Sequence, residues 1–390
     1  MKKKYLCTHC WQFIEEDLAF YSCPECNRSS VIDTEDWAQP PPVRRPAMRQ
    51  RVRDLRRSWQ HIVFSESSLT LCRKHPNVEG DLSCECTWPL TQRNAIEVEE
   101  NGERAAIRVI GSRASGKTLW LATVCRSLRN PESPYDLLEI GETGRIFALV
   151  ENAVLRGEKP LPTRPGANLR YAWRIQPRIN QRTPSYPILM VQDVAGEEWA
   201  RLERGNTHPE LDRYIKYPGD LVFVIDGAQL AADLPENMQG KKNDAWEKPR
   251  IGDSGYMDRT ILENILKYLP QNKTEAMRLA LVITKADRLL HLQGEYPILD
   301  CPNEFQVNSN YYNTQTEAQD QDKLQKLLAH GSRSALTTYG NKEFKECRIF
   351  TTSALGFCPQ PEDIENDKIL KKVPDPKCAA TSLLWLLSCH

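Results

Sequence analysis

The chain has 390 residues, carries 52 lysines and arginines against 52 aspartates and glutamates, and is 40% hydrophobic. That length exceeds one average domain, and a net charge of zero selects no polyanionic partner by itself. No apolar run reaches the roughly 18 residues of a membrane-crossing helix, and the start "MKKKYLCTHCWQF" has positive charge without the apolar stretch of a secretory signal, so a cytoplasmic location is expected.

Residues 1–30 form a first unit, with Cys7-x2-Cys10 and Cys23-x2-Cys26 separated by twelve residues. Two such knuckles bring four thiolates into tetrahedral reach, the donor set of a structural zinc ribbon. Without a secretion signal this spacing reads as metal ligation in a reducing compartment, not as disulfides. A unit so small lacks the core to fold alone, so Zn²⁺ is expected to supply the folding energy. His9, between the ligands, reads as exposed. Tyr5, Trp11, Phe13 and Tyr21 read as covers over the knuckles, with base stacking as the alternative. Residues 31–59 are a linker, and 39–59 hold four prolines and seven arginines against one aspartate. This is an extended, charged connector; the alternative is an arm, from Arg44 to Arg57, that touches nucleic acid or another polyanion. Residues 60–102 form a second small unit with Cys72, His75, Cys84 and Cys86, four ligand-type residues within fifteen positions. They read as a second zinc site, with incidental cysteines as the alternative, because C-x-C is a poorer knuckle than C-x-x-C. Cys125, Cys301, Cys347, Cys358, Cys378 and Cys389 have no mutual spacing and read as core or surface residues.

From 103 to 390 the rhythm becomes that of an α/β domain. Strands are expected over 105–110, 169–175, 187–192, 221–225, 278–283 and 348–351, and helices over 117–128, 259–269, 322–338 and 380–387. The alternation predicts a mostly parallel sheet with helices on both faces. Two polar stretches without periodicity, 231–257 and 291–321, read as surface insertions.

Between the first of these strands and the first helix stands "GSRASGKT": Gly111, Ser112, Arg113, Ala114, Ser115, Gly116, Lys117 and Thr118. It matches G-x-x-x-x-G-K-[ST] in the strand-then-helix context that the motif requires. Glycines let backbone N–H groups approach phosphates at a helix N-terminus. Lys117 would reach the β- and γ-phosphates, and the Thr118 hydroxyl would join a Mg²⁺ shell. Further along, "ILMVQDVAGEEW" is a strand ending in Asp193-x-x-Gly196, a carboxylate for Mg²⁺ and an N–H for the γ-phosphate. "LALVITKADRL" ends a strand at Thr284-Lys285-Ala286-Asp287. A carboxylate at Asp287 accepts from guanine N1–H and N2–H₂, while the Lys285 stem covers the base. Adenine lacks that donor pair, so GTP is favoured; ATP remains the alternative if Asp287 does not face the base. "RIFTTSALG" ends a strand at Ser353, Ala354 and Leu355, where a backbone N–H would meet guanine O6.

On these four motifs in order, residues 105–390 resemble the translation-factor-related (TRAFAC) class of P-loop GTPases, which implies a Ras-like fold preceded here by small zinc-ribbon units. More narrowly, "DVAGEEW", the spaced insertions and the closing "SLLWLL" helix resemble the zinc-ribbon-bearing bacterial double-GTPase family, which implies a role in NTP-dependent conflict systems. The resemblance implies a regulatory switch that hydrolyses GTP with Mg²⁺ and signals to a protein partner through its switch segments and N-terminal zinc units. Thr163, in "KPLPTRPG", is the first choice for the switch threonine on Mg²⁺, and Thr143 the second. Three positions depart from the pattern. Thr284 stands where many relatives have asparagine. Glu197 stands where relatives place glutamine or histidine; its carboxylate would orient water, but its charge opposes the γ-phosphate. Arg113 stands where small residues are common, and reads either as a cation for the transition state or as a solvent-facing side chain. Two alternatives follow: a GTP-dependent scaffold that does not hydrolyse, and a zinc-ribbon nucleic-acid binder gated by GTP.

Overall fold

The structure, a computed structural model, describes residues 4–7, 13–15, 20–22, 62–63, 71–72, 81–83, 95–98, 106–112, 114–140, 143–158, 168–178, 188–194, 209–217, 219–240, 254–269, 276–301, 305, 314–359, 363–365 and 369–388. The chain divides into two compact units, 1–101 and 102–390.

In the first unit the strands are short: β1 (Lys4–Cys7), β2 (Phe13–Glu15), β3 (Phe20–Ser22), β4 (Ile62–Val63), β5 (Leu71–Cys72), β6 (Asp81–Ser83) and β7 (Ala95–Val98). β1 lies between β2 and β7, antiparallel to both. β3 pairs with β6 and β4 with β5. The segments 1–30 and 60–102 therefore share two of these three sheets.

The second unit is built on a seven-stranded sheet: β8 (Ala106–Gly111), β9 (Tyr135–Glu139), β10 (Asn168–Pro177), β11 (Ile188–Val194), β12 (Gly219–Asp226), β13 (Arg278–Thr284) and β14 (Glu346–Thr351). The order across it is β14-β13-β12-β8-β11-β10-β9. The five strands from β14 to β11 are parallel, and β10 and β9 each reverse. Parallel strands are covered on both faces and so read as continuous apolar runs; β8 and β13 are buried at every position. Arg108 interrupts the run in β8. It is fully buried and donates to the carbonyl oxygens of Ile215 and Gly219 (2.9 Å for the latter), so the charge ends on backbone acceptors. Burial lowers its pKa to about 10.

The helices are α1 (Lys117–Arg129), α2 (Thr143–Leu155), α3 (Pro209–Lys216), α4 (Gly227–Asp233), α5 (Ser254–Tyr268), α6 (Gln315–His330), α7 (Ser334–Glu343) and α8 (Thr381–Ser388). The six expected strands form within two residues of their expected bounds. In this unit β9, α2, α3 and α4 went unexpected; β9 and α2 are an added strand–helix unit that extends the sheet beyond β10. Phe147 of α2 meets Tyr171 and Trp173 of β10 edge-on, with ring centroids 4.9 and 5.2 Å apart. The helix expected over 322–338 is two. α6 ends at Gly331, Ser332 takes φ +60°, and α7 starts afresh. Both expected insertions carry structure, since α4 and α5 border 231–257 and α6 occupies the end of 291–321. A final pair, β15 (Ile364–Glu365) and β16 (Ile369–Leu370), is antiparallel.

A correction concerns the cysteines. Cys301 and Cys378 form a disulfide, with Cα atoms 5.8 Å apart. A sequence separation of 77 leaves no local spacing to read, so the expectation of two unrelated cysteines is overturned. Cys125, Cys347 and Cys358 are not in disulfides. Among the described residues no helix is long and apolar enough to cross a membrane.

Candidate functional site

At the centre of the sheet the chain leaves β8 and returns first to β11 on one side and then to β12 on the other. Such a point opens a crevice beyond the carboxyl ends of the strands, the place where open α/β sheets bind ligands. Gly111 ends β8 there, and the loop to α1 needs two left-handed residues, Ala114 at φ +56° and Gly116 at φ +83°. Gly116 meets that demand without the steric cost a Cβ imposes. α1 then begins with no side-chain cap and no acidic residue in its first turn. The N–H groups of that turn and the positive end of the helix dipole thus favour an anion there. Lys117 is buried, and its Nζ donates to the carbonyl oxygens of Gly111 (2.9 Å) and Ser112 (2.8 Å). The buried Ser115 hydroxyl has no hydrogen-bond partner.

The end of β13 is tied to this loop. The Thr284 hydroxyl lies against the carbonyl oxygens of Ser115 and Ile225 (3.0 Å for the second). Lys285, at φ +50°, donates from Nζ to the carbonyl of Ala114 (2.8 Å) and to Asp226 Oδ2 (3.1 Å). Asp226 is a residue that the sequence reading passed over. It ends β12, caps α4 by accepting from the N–H of Ala228 at 3.0 Å, and holds the Lys285 stem in place. Its one sequence signal is an aspartate between an apolar strand and a helix, the N-cap pattern.

Asp287 follows at the start of a short 3₁₀ turn and is buried. The Ser353 hydroxyl donates to its Oδ1 at 2.5 Å, and the Gly356 N–H donates to Ser353 Oγ at 2.8 Å. Burial pushes the Asp287 pKa up, and the Ser353 hydrogen bond pulls it partly back. The two base motifs, 66 residues apart, thus meet in one hydrogen bond. Ala354 is half-buried, and Leu355 is buried and accepts from the Asp375 N–H at 2.9 Å.

For Mg²⁺ the oxygen donors fit by type, since hydroxyl and carboxylate oxygens suit a hard cation. Thr118 is the second residue of α1. Val191 of β11 stands opposite Val109 of β8, so Asp193 reaches the level of Gly111 at the same edge of the sheet. Thr143 opens α2. Arg113, Thr163, Gly196 and Glu197 lie outside the described residues. So do Cys10, Cys23, Cys26, His75, Cys84 and Cys86; Cys7 ends β1 and Cys72 ends β5. Among the described residues no cluster of three or more His, Cys, Asp or Glu side chains is arranged to hold a metal.

No protein-family model matches the chain, and no curated protein sequence matches it. Among solved structures it is similar to a signal recognition particle receptor SRb-GTP/SRX complex from Chaetomium thermophilum, at 14% identity over 66% of this chain and 94% of that one, with a TM-score of 0.29. It is also similar to Sup35 complexed with GDP, at 13% identity, 66% and 40% coverage and a TM-score of 0.25. A third is the GTPase-like domain of S. cerevisiae Ski7 bound to GDP and inorganic phosphate, at 15% identity, 65% and 43% coverage and a TM-score of 0.26. The chain spans less than half the length of the last two. At these identities and TM-scores the likenesses carry no weight beside the geometry of the site.

Proposed function

We propose that the chain binds a guanine nucleotide at the carboxyl end of its central sheet and hydrolyses GTP as a regulatory switch of the translation-factor-related type. The observation that carries this reading is the Asp287–Ser353 pair standing on strand ends whose Thr284 and Lys285 side chains bond directly to the phosphate loop. Arg288 Nε stands 3.7 Å from Asp287 Oδ2, beyond good hydrogen-bond distance, so the buried carboxylate still takes donors on its remaining lone pairs, and guanine offers two on one edge. Lys285 covers the base, and the first turn of α1 with Lys117 receives the phosphates. Mg²⁺, when bound, neutralises charge on the phosphates; Thr118, Asp193 and Thr163 are its oxygen donors. Water attacks the γ-phosphorus in line with the departing GDP oxygen, Glu197 orients that water, Arg113 stands on the same loop, and the Gly196 N–H reports the γ-phosphate.

Titration of the full, zinc-replete chain with fluorescent GDP and GTP, with ATP as competitor and phosphate release followed over hours, tests the reading. Guanine-selective binding is expected, with release that falls by about a hundredfold or more in Lys117→Ala, the scale of losing one preorganised charge-stabilising group. ATP competing as well as GTP overturns it. Glu197, an anion where relatives carry a neutral water-orienting side chain, favours a second reading: binding without hydrolysis, as a GTP-dependent scaffold. Binding with no phosphate release selects that one. The zinc units, a nucleic-acid contact by the arginine-rich arm and a role in conflict systems belong to the same proposal, on resemblance and spacing alone.

A further inference from the structure

Beside the phosphate loop lies a buried charged group that this reading of the site does not use. Asp258 of α5 is 1% exposed. Its Oδ2 accepts from Arg333 Nε at 3.1 Å, and its buried Oδ1 has no hydrogen bond of good geometry. Arg333, equally buried, sits in the turn between α6 and α7 and has other partners: Asp233 Oδ2 of α4 at 2.9 Å and the Gly331 carbonyl at 2.6 Å. The guanidinium is therefore neutralised by Asp233, and the second oxygen of Asp258 is surplus to that pair. The side chain of Ser112, the second residue of the phosphate loop, lies close enough to this carboxylate to favour its charged form. The carbonyl of that same serine receives Lys117 Nζ.

Leaving a carboxylate oxygen buried without a donor is costly, and the hydroxyl that stands ready to satisfy it belongs to the loop that must wrap a phosphate. We propose that Asp258 is a positioning residue for the phosphate loop: its free oxygen receives the Ser112 hydroxyl and so fixes the carbonyl on which Lys117 rests. The inference rests on the reading of Gly111–Thr118 as a phosphate loop. It adds a physical route from that loop through Asp258 and Arg333 to Asp233 and the α6–α7 turn, a second surface that senses the loop. The groups around Asp258 also set its titration. Burial pushes the carboxyl up to about 6, Asp226 at the end of β12 adds to that, and Arg333 and Ser112 oppose it. Protonation near that pH removes the acceptor charge from the Ser112 hydroxyl.

Two variants test the inference in the full chain. Ser112→Ala deletes the hydroxyl and leaves the Asp258–Arg333 pair; Asp258→Asn keeps the shape and removes the charge. Hydrogen exchange of the 111–118 amides is measured without ligand from pH 5 to 8, corrected for intrinsic rates, beside the affinity for fluorescent GDP in the same buffers. The native chain is expected to gain loop protection as pH rises through about 6. Both variants lose that step and bind GDP about tenfold more weakly at pH 7, the size of one hydrogen bond to a charged group. Should Asp258→Asn fail to fold, Ser112→Ala decides alone. A Ser112→Ala protein that keeps both the pH step and full affinity overturns the inference, because Asp258 then serves only Arg333. The two readings fail separately. GDP binding with no effect of either variant sinks the inference and leaves the nucleotide site; a loop step lost in both variants without any guanine binding supports the inference and sinks the guanine assignment.

Discussion

Asp287 shows what the site asks of a single residue. Its carboxylate is buried, so its charged form is disfavoured in the ligand-free protein and its pKa is raised. The sign for stability follows: this group's contribution is full below the ordinary carboxylate range and is lost as pH rises through the raised value. Guanine reverses the preference, because its two N–H donors bond to the charged form. Binding therefore expels the proton, and affinity for GDP is expected to fall as pH is lowered through the raised pKa, beginning above the ordinary aspartate range. Competition titrations from pH 8 to pH 5 read this directly, and a guanine affinity flat across that range sinks the contact. Ser353→Ala sharpens the test, since it removes the hydrogen bond that most favours the anion; the fall should then begin at higher pH. These residues were legible in the sequence because each closes a motif of fixed spacing at a strand end. Asp226 and Asp258 were not chosen, for a physical reason. Each is a single acid whose partner is brought up by the fold, Lys285 from 59 residues away and Arg333 from 75.

At the scale of elements, central strands were easy to read and edges were not. β12 and β13 are buried almost end to end, so their apolar runs are unbroken. β9 is an edge strand with one buried residue in five, and its Asp136 and Glu139 break the alternation that would announce it. α6 and α7 merged in the reading because Gly331 and Ser332 are compatible with a helix taken alone; the break shows only in the left-handed φ of Ser332. The element that most directly shapes the base side is the start of α4. A Cβ on Gly227 would lie 2.2 Å from the carbonyl oxygen of Thr284, backbone against backbone, with no flexible side chain to yield. Gly227→Ala must push α4 and the end of β13 apart. It is expected to destabilise the unit by roughly 1–3 kcal/mol, the usual cost of overpacking, and to weaken guanine binding by shifting Lys285 and Asp287. Chemical denaturation and the GDP titration measure the two effects. A variant of unchanged stability would mean that this close approach is not maintained in the protein.

Across the second unit as a whole, the Cys301–Cys378 bond ties the inserted segment 291–321 to the chain that leads into α8. Lys377, one residue before Cys378, pairs with Ser353 through both backbone bonds, at 2.9 and 3.1 Å. Leu299, two residues before Cys301, donates to Thr351 Oγ1 at 2.9 Å. The disulfide thus clamps both flanks of the strand end that carries Ser353, and through it the acceptor side of Asp287. Closing a 77-residue span removes chain entropy from the unfolded state, about 2–4 kcal/mol at typical yields. The double variant Cys301→Ser/Cys378→Ser is a cleaner probe than a reductant, because it leaves the cysteines of the first unit untouched. Two other thiols of the second unit are poor nucleophiles, because burial pushes Cys347 up to about 12 and raises Cys125 as well. The double variant is expected to melt roughly 5–15 °C lower, from the 2–4 °C per kcal/mol of a unit this size. It should also bind GDP more weakly, because Ser353 loses part of its backing. Equal melting points would show that the two sulfurs are not bonded in the protein, restoring the reducing-compartment reading of the cysteines. A lower melting point with unchanged GDP affinity would instead confine the clamp to stability and leave the base contact to Ser353 and Gly356 alone.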